Sequence, residues 1–334
     1  MPESIRAVYR GRTVCITGGA GFIGGHLAER LLDCGASVQI IDDLSNSDAG
    51  LVASLVERYP GRARFVYGSI LDRAALAEAV EGCSILFHLA AMGSVPLSIE
   101  NPERCMAVNA TGTVRIAEAA RSAGVERWVY SASSSAYGGQ DDDQPRRETD
   151  LAAALSPYGA SKLAGEQIVR AWSASMGLDG VSLRYFNIFG SRQSADSAYA
   201  AVVAAFYKAL RENKAPTIYG DGLQSRDFTH VDNAVWANIL AGAHQSPLAG
   251  ATVNIGCARR VTLLDLLDHI ASSCGIAKPT PNFEPARPGD IRHSLADITL
   301  AKTLIGYEPV TTLEEGLAET ADWFGCGTTK RRVP

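Results

Sequence analysis

One short segment constrains this chain more than any other. Thr17-Gly18-Gly19-Ala20-Gly21-Phe22-Ile23-Gly24 follows directly on an apolar, β-branched run, Thr13-Val-Cys-Ile-Thr17. It opens a stretch with helical spacing over 22–32, which Gly35 stops. Gly18, Gly21 and Gly24 have the spacing G-x-x-G-x-x-G. Glycine lets the backbone turn tightly and lets a phosphate approach where a Cβ would otherwise stand. The helix start behind it offers free N–H groups and the positive end of the helix dipole. Asp42 follows the next apolar run, Ser37-Val-Gln-Ile-Ile41, at about the twenty-residue offset where an acid meets the adenosine ribose of a dinucleotide. A carboxylate there accepts from the ribose hydroxyls and repels a 2′-phosphate, so the pattern favours NAD over NADP.

Further apolar runs at 64–67, 85–89, 128–130 and 181–186 alternate with helical spacing over 74–80, over 107–123 and from Pro157 onward. Strands that are apolar on both faces and separated by helices imply a parallel sheet covered on both sides. The predicted fold class is α/β, a doubly wound (Rossmann) sheet. Beyond Gly190 the periodicity loosens, and Pro216, Gly220, Gly222, Pro279 and Pro285 break it up. This predicts a second, smaller α/β lobe. Segments 236–242 and 252–255 return to the first lobe, so the two interleave. Residues 1–186 plus about 228–256 form the dinucleotide domain, and about 187–227 plus 257–330 the substrate domain.

The bulk composition narrows the partners. A net charge of −5 gives no basic surface for nucleic acid. The one basic run, Lys330-Arg331-Arg332, reads as a solvated tail. The first twelve residues carry no secretory signal, and no apolar stretch reaches the length of a membrane span. The seven cysteines are scattered, without a C-x-x-C. The expectation is a cytoplasmic enzyme with reduced thiols and no metal.

Ser156-Pro157-Tyr158-Gly159-Ala160-Ser161-Lys162 reads as a helix start, with Ser156 as N-cap and Pro157 in the first turn. Tyr158 and Lys162 are then one turn apart on one face. A free tyrosine is a poor base at neutral pH. A nearby cation, and the positive nicotinamide ring, favour the phenolate and make the pair a general base and acid. Ser131-Ala132-Ser133-Ser134-Ser135 ends the fifth strand, where hydroxyls at the C-terminal edge of a parallel sheet face the ligand crevice.

With these residues in view, the chain resembles the UDP-hexose 4-epimerases of the extended short-chain dehydrogenase/reductase superfamily. The likeness runs from Val14 to about Leu317. It includes His88-Leu-Ala-Ala91, Arg184-Tyr-Phe-Asn-Ile-Phe-Gly190, Gly220-Asp-Gly222, Ser225-Arg-Asp-Phe228 and Arg287-Pro-Gly-Asp290. The resemblance implies that Ser133 is the catalytic serine, Tyr158 the base and Lys162 its electrostatic partner. It places Gly18, Gly21, Phe22, Ile23, Gly24, Asp42, Asp43, Asn46 and Ser47 along the pyrophosphate and adenosine of NAD. Ser69 and Ile70 lie near the adenine, and Leu89, Ala90 and Ala91 beside the nicotinamide half. Ser133, Ser134, Ser135, Asn187, Tyr219, Arg226, Arg287, Asp290 and Ser294 are implied to touch a UDP-sugar, with Arg226 and Arg287 on the diphosphate and Asp290 on the uridine ribose. Planar guanidinium groups suit phosphate oxygens, and a carboxylate suits vicinal hydroxyls. Two departures stand out: Gly68 is followed by Ser69 where the family often has an acid for the adenine, and Met92-Gly93-Ser94 replaces a lysine that some members carry.

The resemblance further implies a homodimer through helices at 107–123 and 157–174. A small residue at Ser294, where relatives that exclude N-acetyl sugars carry tyrosine, points to UDP-GlcNAc and UDP-GalNAc, as does the loop Ser191-Arg192-Gln193. UDP-glucose and UDP-galactose stay open as substrates. UDP-glucuronate is the second reading: Ser194 stands where that subgroup carries arginine, although Arg192 is close. A 4,6-dehydratase would want an Asp-Glu pair at Ser133-Ser134, and a decarboxylase a glutamate nearby. A one-way ketone reductase would consume cofactor, which absorbance at 340 nm detects.

Overall fold

A computed structural model describes residues 1–139, 143–195, 201–286 and 291–326. Seven parallel strands form the main sheet. In chain order they are β1 (Thr13–Thr17), β2 (Ser37–Asp42), β3 (Ala63–Tyr67), β4 (Ile85–His88), β5 (Arg127–Ser133) and β6 (Asp179–Tyr185), followed by Ala251–Ile255. Across the sheet the order is Ala251–Ile255, β6, β5, β4, β1, β2, β3. The chain starts at β1, winds out to β3, then crosses back to β4 on the other side. The C-terminal ends of β1 and β4 flank that reversal, where ligands bind in open α/β sheets.

Alternation of side chains along each strand divides the core into two layers. Val14, Ile16, Val38, Ile40, Ile85, Phe87, Val129, Val181, Leu183 and Val253 share one face. Cys15, Ile41, Leu86, Trp128, Tyr130 and Ala132 share the other. β4 and β5 are buried along their whole length, as central strands should be. β3, at the edge, exposes Arg64 and Tyr67. The strand 251–255 extends the sheet beside β6, and the Val231–Ala243 helix, almost wholly buried, packs near the Phe22–Asp33 helix.

The rest of the second half is built from short pieces. Ser225–Arg226 pairs antiparallel with Val261–Thr262 and parallel with His293–Ser294. Thr217–Tyr219 pairs with Asn282–Glu284. Phe206, Tyr207, Leu266, Leu267, Ile270, Leu317 and Phe324 make its own core, with Tyr207 stacked on Phe324 at 5.4 Å. Asp227 joins this part to the strand 251–255: its buried carboxylate accepts from the amides of Cys257 (2.9 Å), Ala258 (3.0 Å) and Ala296 (3.2 Å). No disulfide forms; all seven thiols are free. No helix among the described residues is long and apolar enough to cross a membrane.

Candidate functional site

The glycine loop sits at the end of β1 as its spacing predicts. Gly18 has φ +71°, and a Cβ there would lie 2.7 Å from the Ala90 nitrogen. A Cβ on Gly24 would lie 2.2 Å from the Gly18 carbonyl oxygen. The loop is therefore pressed between the Leu89–Ala90 backbone and the helix behind it. Four other α-helices of this half are capped by side chains: Asp48, Asp72, Ser94 and Ser156 accept from Gly50, Ala74, Leu97 and Gly159. The Phe22–Asp33 helix has no side-chain cap at Gly21. Its first-turn amides are left for a ligand.

Asp42 organises the adjoining turn. One carboxylate oxygen accepts from Ala20 N (3.1 Å), the other from Leu44 N (2.9 Å) and Ser47 Oγ (2.9 Å). The oxygen that accepts only from Ala20 retains acceptor capacity for a ribose hydroxyl. Asp43 bonds the Ser45 amide, and Asn46 is exposed on the same turn. At the end of β3, Ser69 Oγ accepts from Leu71 N and Ile70 is buried against Gly112. Asp72, close to the expected adenine position, spends its carboxylate capping the Arg73–Val80 helix.

A buried relay ties the loop to β4. Ala90 N–H donates to Thr17 Oγ1 (3.1 Å), which lies 2.6 Å from His88 Nδ1. His88 Nε2 lies 2.9 Å from Thr113 Oγ1, and Thr113 donates to the Asn109 carbonyl (2.6 Å). Because the Thr113 proton is committed, Nε2 carries the imidazole hydrogen and Nδ1 accepts from Thr17. Burial, and then the Lys162 charge, push His88 down to about 3, so it is neutral.

Ser156 caps the Pro157–Ser175 helix as predicted, its Oγ accepting from Gly159 N at 3.1 Å. Lys162 is buried and donates to the Ser131 carbonyl at 2.8 Å. Its Nζ lies 5.2 Å from the Tyr130 ring centre and 5.9 Å from that of Tyr158. Gly165 admits the Tyr130 hydroxyl against the helix; a Cβ there would fall 2.1 Å from it. Ser133 stands near enough to Tyr158 to favour its ionised form; its own Oγ donates to Ser135 Oγ (3.1 Å) and accepts from Ser135 N (3.2 Å). The tyrosine departs from the expectation built on spacing alone. Burial raises its pKa above the ordinary value and outweighs the lowering by Ser133. In the protein by itself the phenol stays protonated at neutral pH. Burial likewise brings Lys162 down to about 8, opposed by the Cys105 thiol and the Glu166 carboxylate.

On the substrate side, Asn187 has φ +37° and donates to the Asp227 carbonyl (3.2 Å). Arg226 donates to the carbonyls of Ser225 (2.9 Å) and Arg292 (3.4 Å). Ser294 is buried and lies directly opposite Arg226 in the strand pairing. Tyr219, at the end of its strand, is partly exposed, and its carbonyl accepts from Gln224. Arg287 and Asp290 lie outside the described residues. Arg192, near the predicted sugar end, instead pairs with Glu29 on the Phe22–Asp33 helix at 2.6 Å.

Residues 14–256 match the family model described as NAD dependent epimerase/dehydratase family. The chain belongs to that family. A UDP-glucose 4-epimerase of Mycolicibacterium smegmatis is 36% identical over 312 residues, covering 92% of this chain and 97% of the relative. Among solved structures, the UDP-N-acetylglucosamine 4-epimerase of Methanobrevibacter ruminantium, in complex with UDP-N-acetylmuramic acid, superposes with a TM-score of 0.88. It is 34% identical over 94% of this chain and 98% of its own. The UDP-glucuronic acid 4-epimerase of Bacillus cereus, in complex with UDP-glucuronic acid and NAD, gives 0.86 at 30% identity, covering 94% and 99%.

NAD is the cofactor of this epimerase/dehydratase enzyme, and the residues present fit it. The uncapped helix start, the Cβ-free cradle at Gly18 and Gly24, and the Asp42 turn lie together at the end of β1 and β2. Sequence reading passed over three contributors. Thr17 reads as a strand end that opens the glycine loop and Asn109 as part of a helix, and neither reads as a hydrogen-bonding centre. Glu166 falls one turn beyond Lys162, a signal the four-residue period already carried.

Proposed function

We propose that this enzyme inverts C4 of a UDP-hexose through a 4-keto intermediate, with UDP-GlcNAc and UDP-GalNAc as its preferred pair. The observation that carries the reading is the placement of Tyr158, Ser133 and the buried Lys162 together at the C-terminal edge of the sheet, with the Lys162 nitrogen 5.9 Å from the centre of the Tyr158 ring. Tyr158 takes the proton of the sugar 4-hydroxyl, directly or through Ser133, and later returns it to the opposite face. The chemistry NAD supplies when bound is uptake and return of the C4 hydride. Ser133 lowers the cost of the phenolate once its hydroxyl turns from Ser135 to donate to it, and the Lys162 charge adds to that. Ser134 and Ser135 border the same crevice. Asn187, Tyr219 and Arg226, with Arg287 and Asp290, anchor UDP, which leaves the sugar free to present either face.

The cofactor roles proposed for Gly18, Gly21, Phe22, Ile23, Gly24, Asp42, Asp43, Asn46, Ser47, Ser69, Ile70 and Leu89 to Ala91 follow the same placement. Residues 1–186 with about 228–256 serve as the NAD domain, and the remainder as the sugar-nucleotide domain. A homodimer through the helices at 107–123 and 157–174 completes the reading; light scattering coupled to gel filtration tests it, and a monomeric mass rejects it.

The N-acetyl preference rests on Ser294, a small residue opposite Arg226. Against UDP-glucuronate stands Arg192, the nearest candidate for its carboxylate, which is drawn to Glu29. Proton NMR of each UDP-sugar incubated with the protein, no cofactor added, decides. Conversion of UDP-GlcNAc to an epimer mixture, with no net change at 340 nm, is expected. Turnover of UDP-glucuronate alone would reverse the assignment. In Ser294→Tyr, UDP-GlcNAc turnover is expected to fall by about tenfold or more, with UDP-glucose turnover retained. Unchanged turnover of the acetylated sugar removes Ser294 as the gate.

A further inference from the structure

The helix that carries Tyr158 and Lys162 holds one more buried ionisable group. Tyr158, Lys162 and Glu166 recur every four residues and share a face. Glu166 is 1% exposed and Arg184, on β6, is 5% exposed. They form a two-pronged pair, Nε to Oε1 at 2.7 Å and a terminal nitrogen to Oε2 at 2.6 Å. The Arg184 guanidinium also lies 4.4 Å from the centre of the Tyr137 ring, whose hydroxyl donates to Asn254 Oδ1 at 2.8 Å. Buried pairs of this kind are poor sources of stability, since apolar replacements of similar volume are often neutral or better. Their placement is the more informative property.

The groups facing the Lys162 ammonium can be named element by element. β5 presents the Ser131 carbonyl and the Tyr130 ring. β4 presents His88, which is neutral. The Pro102–Met106 helix presents the Cys105 thiol, and the lysine's own helix presents Tyr158 and Glu166. Burial raises the Tyr130 phenol well above its ordinary range, so it stays uncharged. Of the groups that favour the charged lysine, the Cys105 thiol comes first and the Glu166 carboxylate next, and Glu166 is the one on the lysine's own helix. Burial pushes its carboxyl up, and the bidentate Arg184 opposes that by holding the ionised form.

We propose that Glu166, held by Arg184, is a positioning residue for the proton-transfer pair: its carboxylate keeps the buried Lys162 ammonium charged beside Tyr158. The inference rests on the role assigned above to Tyr158 and Lys162. Without that carboxylate, the lysine would lose its proton within the working pH range, and the phenolate would lose its neighbouring cation.

The test reads the lysine directly. The NAD-loaded protein is labelled with ¹³C at lysine Cε, and the Lys162 signal is identified by its loss in Lys162→Arg. Its titration midpoint is expected near 8 in the unaltered protein. Glu166→Gln alone strands Arg184 and risks the fold, so the decisive variant is Glu166→Gln with Arg184→Gln, which removes both charges. Its Lys162 midpoint is expected to fall by about one pH unit, which cuts the charged fraction at pH 7.5 by about threefold. The alkaline limb of kcat for the UDP-sugar the protein turns over should move the same way, with KM changed less than about twofold. Arg184→Lys, which preserves the carboxylate's charge partner, should retain both profiles. An unchanged Lys162 midpoint in the double variant overturns the proposal. A protein that epimerises no UDP-sugar overturns the functional reading instead, while the Lys162 midpoint still decides the role of Glu166.

Discussion

Tyr158→Phe is expected to lower kcat by about two to four orders of magnitude, the usual contribution of a positioned acid–base group. The substitution deletes one hydroxyl from a half-buried ring and leaves the ring in place. Loss of one hydroxyl costs at most on the order of 1 kcal/mol of stability, well inside what a chain of this size tolerates. NAD content and affinity for UDP should therefore persist while turnover collapses. That split between binding and turnover is the signature of an interaction made at the transition state. A variant within tenfold of the unaltered kcat would remove Tyr158 from the chemistry and leave Ser133 or bound water as the base.

Gly24→Ala is expected to act in the opposite sense, on binding and stability together. The added methyl would stand 2.2 Å from the Gly18 carbonyl oxygen and 2.8 Å from the Gly19 Cα. Both are backbone atoms, so relief requires the whole loop to move. Gly18 is itself held against the Ala90 nitrogen and cannot retreat in that direction. Overpacking of this kind costs about 1–3 kcal/mol. Loss of NAD removes a further linked stabilisation of about 2.7 kcal/mol where the cofactor stands at a hundred times its Kd. The measurements are cofactor stoichiometry after gel filtration and the unfolding temperature with and without added NAD. Gly93→Ala is the control, because a Cβ there meets nothing within 4 Å. Full NAD occupancy in Gly24→Ala would show that the loop gives way more easily than its contacts indicate.

The sheet was legible in the sequence because its strands are nearly continuous apolar runs between glycine stops. The runs at 13–17, 85–89 and 181–186 read directly as buried strands. The helix predicted over 107–123 is more complicated. Its first part is a wide π turn, Ala107–Thr111, before the α-helix Gly112–Ser122. The wide turn presents Asn109, which bonds both backbone groups of Met92 and the Ser161 hydroxyl. One extra residue per turn leaves no mark on hydrophobic spacing, so periodicity could not reveal it.

The candidate site divides along the same line. Spacing was enough to bring Tyr158 and Lys162 together, and Ser156 to the head of their helix. Spacing says nothing of burial, and burial decides the ionisation of both groups. Arg192 shows another limit. Its neighbourhood in sequence suggests the sugar, but its positive φ of 67° and the distant Glu29 turn it elsewhere.

The relay from Ala90 through Thr17, His88 and Thr113 to the Asn109 carbonyl has a direction. Each hydrogen points the same way along it, and both ends are peptide groups that neither take up nor release protons at ordinary pH. It is therefore a rivet and not a wire: it clamps the first and fourth strands in register without conducting charge between them. Under the function proposed above, protons that reach or leave Tyr158 travel on the open side of the crevice, by way of Ser133 and the sugar. Only hydroxyl protons use that doorway: the carbon-bound hydrogen takes the separate hydride route that NAD supplies, so heavy water is expected to leave no deuterium at the inverted centre.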